Sequence, residues 1–155
     1  VHRNASPKVA AYGSAFYDIC IEYDIDPSFA VAVGYIEQLL GKAKSSAMRC
    51  NNLFSIEYSG TEEQSGRCPY NKRWGMYKTV GDAIRHFCKL IKQKYVARGQ
   101  DTPEKIACSH NDYRKCFVGN CYCCDTEKEH DYWIAKVTEV RNEIRSWKQQ
   151  KQQVV

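Results

Sequence analysis

Two groups of side chains in this 155-residue chain have the types and surroundings that chemistry needs. The first is one carboxylate. Glu37 is the only formal charge after Asp26 in the run Pro27 to Leu40. If that run is helical, Glu37 lies in its last turn, where the carbonyl end of the helix dipole disfavours a negative charge. Val33, Ile36 and Leu40 would desolvate it as well. Both effects raise a carboxyl pKa, and a carboxylic acid still protonated near neutral pH is a general acid. The plainer reading is a helix-end glutamate that reaches water.

The second group is Cys108, Cys116, Cys121, Cys123 and Cys124, with His110 and His130 nearby. The set matches no standard zinc finger. Cys121-x-Cys123 and the adjacent Cys123-Cys124 are tight for two disulfides and suit thiolate ligation of one zinc ion. Disulfides would fasten the same stretch in an oxidising compartment. Either role is structural. A catalytic zinc needs an open coordination position and a dry cleft, which the sequence does not show. No Cys-His arrangement of a known hydrolase type is present either.

The element that positions Glu37 has a clear start. Asp26-Pro27 is an N-cap oxygen followed by proline at the first helical position, and Gly41 is the residue most able to end a helix left-handed. Phe29, Val31, Val33, Tyr35, Ile36, Leu39 and Leu40 surround the cylinder, so this helix is predicted to be buried. Ser6-Pro7 repeats the start device, and Val9, Tyr12, Phe16, Ile19 and Tyr23 predict an amphipathic helix over 7–23. A short helical turn is predicted at Ser45 to Met48. Leu53 to Tyr58 has strand propensity, and Arg73 to Lys78 is predicted to pair back on it across a turn-like Ser59 to Gly66. Thr79 caps a further helix with Asp82 in a capping-box position. Val80, Ile84, Phe87, Ile91 and Tyr95 form its stripe, and Gly99 ends it. Thr102-Pro103 starts a short helix. Trp133, Val137, Val140, Ile144 and Trp147 mark the last one, with 149–155 a frayed polar tail. The fold class that follows is mainly α (α+β), with a small β-hairpin.

Composition narrows the function. Hydrophobic residues are 43%, enough for a core. No apolar run reaches the ~18 residues of a membrane span, so membrane insertion is not expected. No signal peptide is visible, and the first residue is Val1, which reads as a processed form or an excised domain. Lys and Arg number 23 against 18 Asp and Glu, a net +5 that suits a polyanion. Basic residues are scattered and no nucleic-acid motif is present, so a bacterial wall carrying teichoic acids ranks above nucleic acid. Nine cysteines is an odd count, leaving at least one free, metal-bound or joined to another chain. Cys20 and Cys88 sit in apolar helix faces and read as buried thiols, while Cys50 and Cys68 flank the hairpin region and could pair.

A buried helix ending in Glu37, a short loop, then Asn51-Asn52-Leu53-Phe54-Ser55-Ile56 resembles the glucosaminidase family. These are the family seventy-three glycoside hydrolases of bacterial autolysins, flagellar muramidases and phage lysins, within the lysozyme superfamily. The family pattern is N-N-L-F-G-I, so Ser55 replaces a glycine, and Gln38 stands where a small residue often follows the acid. Met76-Tyr77-Lys78-Thr79, Thr102-Pro103-Glu104-Lys105-Ile106-Ala107 and Trp133-Ile134-Ala135-Lys136-Val137 are further echoes in family order, covering about residues 8 to 147.

The resemblance implies one lysozyme-like domain over 1–148 that acts at the bacterial cell wall, either alone or within a larger lysin. Its substrate would be the peptidoglycan glycan strand. Glu37 would be the acid, with no cofactor for catalysis. A second carboxylate is implied in the β-lobe, with Glu57, Glu62 and Glu63 as candidates. Thr61-Glu62 is the nearest echo, and a solvated turn is the plainer reading of the three. Asn52, Phe54, Tyr58, Tyr77 and Tyr95 are the expected substrate contacts, with Trp74 and Tyr113 further aromatics able to meet a sugar face. A lytic transglycosylase and a non-enzymatic wall-binding module on the same fold are the alternatives.

The cysteine cluster carries its own test. If it holds zinc, elemental analysis returns about one ion per chain and chelation lowers the melting temperature. If it is disulfide-bonded, alkylation under denaturing conditions finds few free thiols. Most of the five thiols free with no metal present would refute both.

Overall fold

The computed structural model describes the backbone of residues 6–106 and 127–153, and the side chains of all of these but 104, 127–130 and 147–153. It is 60% helix with one two-stranded antiparallel sheet, the predicted mainly-α class with a small hairpin. Contacts divide the chain into two compact units, Val1–Lys89 and Leu90–Val155. No helix among the described residues is long and apolar enough to cross a membrane.

The first unit begins with α1 (Pro7–Ala10) and α2 (Gly13–Glu22), where the sequence predicts one helix over 7–23. Ser6 Oγ accepts from the Val9 N–H and starts α1 as expected. The helix then breaks because the Tyr12 N–H turns to the carbonyl of Val9, three residues back. Gly13 at the following position has little helical preference to resist the break. The buried helix α3 spans Pro27–Gln38. Asp26 Oδ1 accepts from the Ser28 N–H at 2.9 Å and the Ser28 hydroxyl at 2.7 Å, fixing the predicted start.

The end of α3 differs from the expectation. Leu39 and Leu40, both at φ 49°, turn left-handed before Gly41 at φ 87°. A side chain in that region is strained by about 1–3 kcal/mol per residue. Burial of Leu40 and the bond from the Ser6 N–H to its carbonyl at 2.9 Å hold the turn in place. Gly41 is required twice over, since a Cβ there would collide with Ser6 Oγ and a Val9 methyl of α1. The predicted turn at 45–48 is α4 (Ser46–Arg49), with Ser45 Oγ accepting from the Met48 N–H.

Leu53 to Tyr58 is not the regular strand that its propensity suggests. Asn51 and Ser55 take left-handed φ of 59° and 52°, and Phe54 turns inward to stack on Phe87 with centroids 4.1 Å apart. Only 56–58 lie along the hairpin. The Tyr58 N–H donates to Arg73 O, the Gly75 N–H donates to Ile56 O, and Glu57 bridges Trp74. The sheet proper is β1 (Gly66–Arg67) against β2 (Gly75–Met76), with Gly66 opposite Met76. The Cys50–Cys68 disulfide joins α4 to this hairpin. The capping box forms as predicted: Thr79 N–H to Asp82 Oδ2, and Asp82 N–H to Thr79 Oγ1, at the start of α5 (Val80–Lys94).

The second unit takes the last turn of α5, a 3-10 turn Val96–Arg98 closed by left-handed Gly99, α6 (Pro103–Ile106) and α7 (Glu127–Gln153). Helices α6 and α7 are in contact. The predicted last helix is longer than its apolar stripe. It starts six residues before Trp133 and runs through the expected polar tail to Gln153, as a lysine- and glutamine-rich sequence allows.

Asn52 is fully buried, and its side chain replaces the missing strand partner. Nδ2 donates to Ile56 O at 2.8 Å and Gly75 O at 3.0 Å, while Oδ1 accepts from the Ile56 N–H at 2.9 Å. Asn52→Ala leaves the Ile56 N–H and the Gly75 carbonyl unsatisfied inside the unit. The expected loss is about 2–4 kcal/mol, read by urea denaturation.

Candidate active site

Glu37 lies in the last turn of α3, half-buried, with the strained Leu39–Leu40 turn directly after it. Its neighbour Gln38 is buried and reaches away from the helix. Gln38 Nε2 donates to Ser55 Oγ at 2.6 Å, and its Oε1 accepts from the Ser45 hydroxyl. The end of the acid-bearing helix is therefore tied to the N-N-L-F-S-I loop and to the start of α4. The two departures from the glucosaminidase pattern, Gln38 and Ser55, bond to each other. Ser55 also has the positive φ that a glycine would adopt without strain.

The Asn51-Asn52 pair then connects loop to hairpin. Asn51 Nδ2 donates to Tyr77 O and Lys78 O, and Asn52 spans Ile56 and Gly75. Phe54 packs edge-on to Phe16 of α2 and stacked on Phe87 of α5, and Phe29 of α3 lies 6.1 Å from Phe87. Four elements that are separate in sequence meet on this one ring cluster.

The three hairpin carboxylates have different surroundings. Glu57 pairs with Arg73 at 2.7 Å, both well exposed, an arrangement of little energetic weight. Glu62 is 81% exposed and bonds Lys89 Nζ at 2.8 Å. Glu63 is only 6% exposed and meets the same ammonium at 2.7 Å. Burial pushes the Glu63 carboxyl up, but the Lys89 hydrogen bond and charge outweigh it and hold it below its usual value. Lys89 itself is held above the ordinary lysine range by its bonds to Glu62 and Glu63.

A buried polar chain fixes the loop that carries these acids. Gln64 Oε1 accepts from the Ser59 and Gly60 N–H groups, and its Nε2 donates to Glu57 O and Tyr77 OH. Tyr77 OH is 2.7 Å from His86 Nδ1, and His86 Nε2 is 3.4 Å from Thr61 Oγ1. Burial raises the Tyr77 phenol above its ordinary value, so it stays a neutral hydrogen-bonding group.

Four of the expected sugar contacts are turned inward. Asn52, Phe54, Tyr77 and Tyr95 are all buried, so their work is packing and hydrogen bonding rather than contact with a sugar face. Burial lifts the Tyr95 phenol to about 12. Tyr58 and Trp74 are half-exposed, under the guanidinium groups of Arg67 at 4.3 Å and Arg73 at 4.8 Å. Tyr113, Cys108, His110, Cys116, Cys121, Cys123 and Cys124 lie outside the described residues, and only the backbone of His130 is described, in α7. The Lys89–Glu63 and His86–Thr61 contacts carried no sequence signal, because they span 26 and 25 residues.

No protein-family model matches the chain, and no curated protein matches it.

The Glu63–Lys89 pair makes a pH-dependent prediction. Because the folded carboxyl is held low, its contribution is fully present above the unfolded value, 4.5, and is lost as pH falls through the folded one. Lys89→Met therefore lowers the melting temperature near neutral pH, and the gap to the parent closes as both are acidified. Lys105→Met, which breaks the exposed pair with Asp101, should shift it far less. Calorimetry across a pH series separates the two.

Proposed function

We propose that the chain is a glycosidase that cleaves the peptidoglycan glycan strand, with Glu37 as its general acid. The observation that carries this reading is the helix end. A half-buried carboxylate sits against the unfavourable pole of α3, followed by two leucines in left-handed strain. Gln38, which lies between them, bonds Ser55 and Ser45 and ties the last turn of the helix to the loop and to the start of α4.

Glu37 would protonate the glycosidic oxygen as the bond breaks. The oxocarbenium-like state then needs a carboxylate with water, the substrate's own N-acetyl group, or intramolecular closure as in a lytic transglycosylase. Glu62 remains the candidate second carboxylate. Its exposure leaves it open to water, and Lys89 Nζ bonds it at 2.8 Å. The half-exposed Tyr58 and Trp74 offer apolar faces for sugar rings. The chain's net positive charge favours residence on an anionic wall.

Glu37→Gln keeps the shape and removes the transferable proton. On purified peptidoglycan, lytic activity should fall by ~10²–10⁴-fold while the melting temperature stays near the parent's. Activity within a few-fold of the parent would overturn the reading, and no activity in the parent would favour a wall-binding module. Glu62→Gln reads the second role. A loss of the same order assigns a carboxylate to the water. A small loss with anhydro ends in the fragment mass spectrum assigns closure to the substrate.

A further inference from the structure

Cys20 on α2 and Cys88 on α5 are 68 residues apart in sequence, fully buried, and their sulfurs are 3.5 Å apart. That is sulfur-to-sulfur contact between two helices, inside the unit that already contains the Cys50–Cys68 disulfide. A disulfide needs the sulfurs at ~2.0 Å, an approach of about 1.5 Å shared between two side chains. Neither thiol is used by the candidate site. We propose that Cys20 and Cys88 are a second cross-linking site, closing to a disulfide that encloses α3, the hairpin and the Cys50–Cys68 bridge in one loop.

The chemistry is thiol–disulfide exchange with a small-molecule disulfide as oxidant. One cysteine, as its thiolate, attacks the reagent, forms a mixed disulfide and releases one small thiol. The second cysteine, having lost its proton, attacks the protein sulfur of that mixed disulfide and releases the other small thiol. Two protein thiols are oxidised by two electrons, and one reagent disulfide is reduced to two thiols.

In the folded protein this is slow. Both sulfurs are shielded, and the hydrogen bond with Cys88, together with burial, holds the Cys20 thiol far above its ordinary value. The bond therefore forms while the chain folds or opens, and once formed it is protected by the same burial. The ring Phe54, which anchors the N-N-L-F-S-I loop, lies between Phe16 of α2 and Phe87 beside Cys88. The cross-link thus secures the two helices that clamp this loop. A closed loop of this length removes much of the freedom of the unfolded chain.

The test is to refold the reduced, denatured full chain in a glutathione and glutathione-disulfide buffer, alkylate remaining thiols under denaturing conditions, digest without reduction, and map the peptides by mass. The expected product joins the Cys20 peptide to the Cys88 peptide, alongside the Cys50–Cys68 pair as an internal control. Cys20 and Cys88 recovered alkylated while Cys50–Cys68 is linked, or either joined to another cysteine, overturns the proposal. Thermal melts give a second readout. Oxidative refolding should raise the melting temperature of the parent by several degrees more than that of the Cys20→Ala, Cys88→Ala double variant. Equal gains would rule out the staple even if some linked peptide were found.

Discussion

A buried backbone must satisfy its polar groups, and one fully buried stretch among the described residues has no regular structure with which to do so. Asn52, Leu53 and Phe54 are enclosed, yet they follow one short helix and precede a hairpin without belonging to either. One amide side chain resolves the conflict. Asn52 takes the hydrogen bonds that a neighbouring strand would have taken, at both Ile56 and Gly75. With those bonds made, Leu53 and Phe54 can turn inward, where Phe54 joins the rings from α2, α3 and α5 into one cluster. Leu53 packs closely against Gly34, where a Cβ would come within 3.3 Å of it. The loop is thus the keystone against which the helices of the first unit are placed.

The helix that bears Glu37 is held to that keystone by polar contact at its very end. Its left-handed exit at Leu39 and Leu40 is costly, and Gly41, the buried Leu40 and the docked α1 keep it from relaxing. Strain that persists in a well-packed region indicates that the surrounding contacts over-determine it. Here the contacts that do so also fix the last turn. Gln38 and Ser55 bond each other directly at this junction.

Charge is sorted by depth in the hairpin. Glu57 and Arg73 form an exposed pair that adds little. Glu63 and Lys89 form a shielded one that ties the hairpin to α5. Glu62 shares the same lysine from the solvent side. One ammonium therefore contacts both a structural acid and a candidate catalytic one. Perturbing Lys89 should disturb both stability and any chemistry at Glu62.

The sequence alone determined what depends on neighbours within a few residues. Asp26-Pro27 and Ser6 caps, the Thr79–Asp82 box and the mainly-α class with a small hairpin were all legible, because caps and turns are satisfied by atoms two to four positions away, whereas the helix expected to run to Gly99 ends at Lys94 and Gly99 closes a separate 3-10 turn. The resemblance that singled out Glu37 also rests on an ordered local pattern. The tertiary structure decided the rest. Strand propensity at Leu53 to Tyr58 lost to the long-range capture of Ile56 and Gly75 by Asn52. Phe54 and Tyr77, expected to meet sugar, became core because Phe87 and His86 were waiting on a helix far along the chain. Which of three adjacent-looking glutamates is desolvated depended on where Lys89 arrives, and which cysteines meet depended on how α2 and α5 are placed. Such pairings join residues tens of positions apart, and their energy depends on a shared burial that no local pattern encodes.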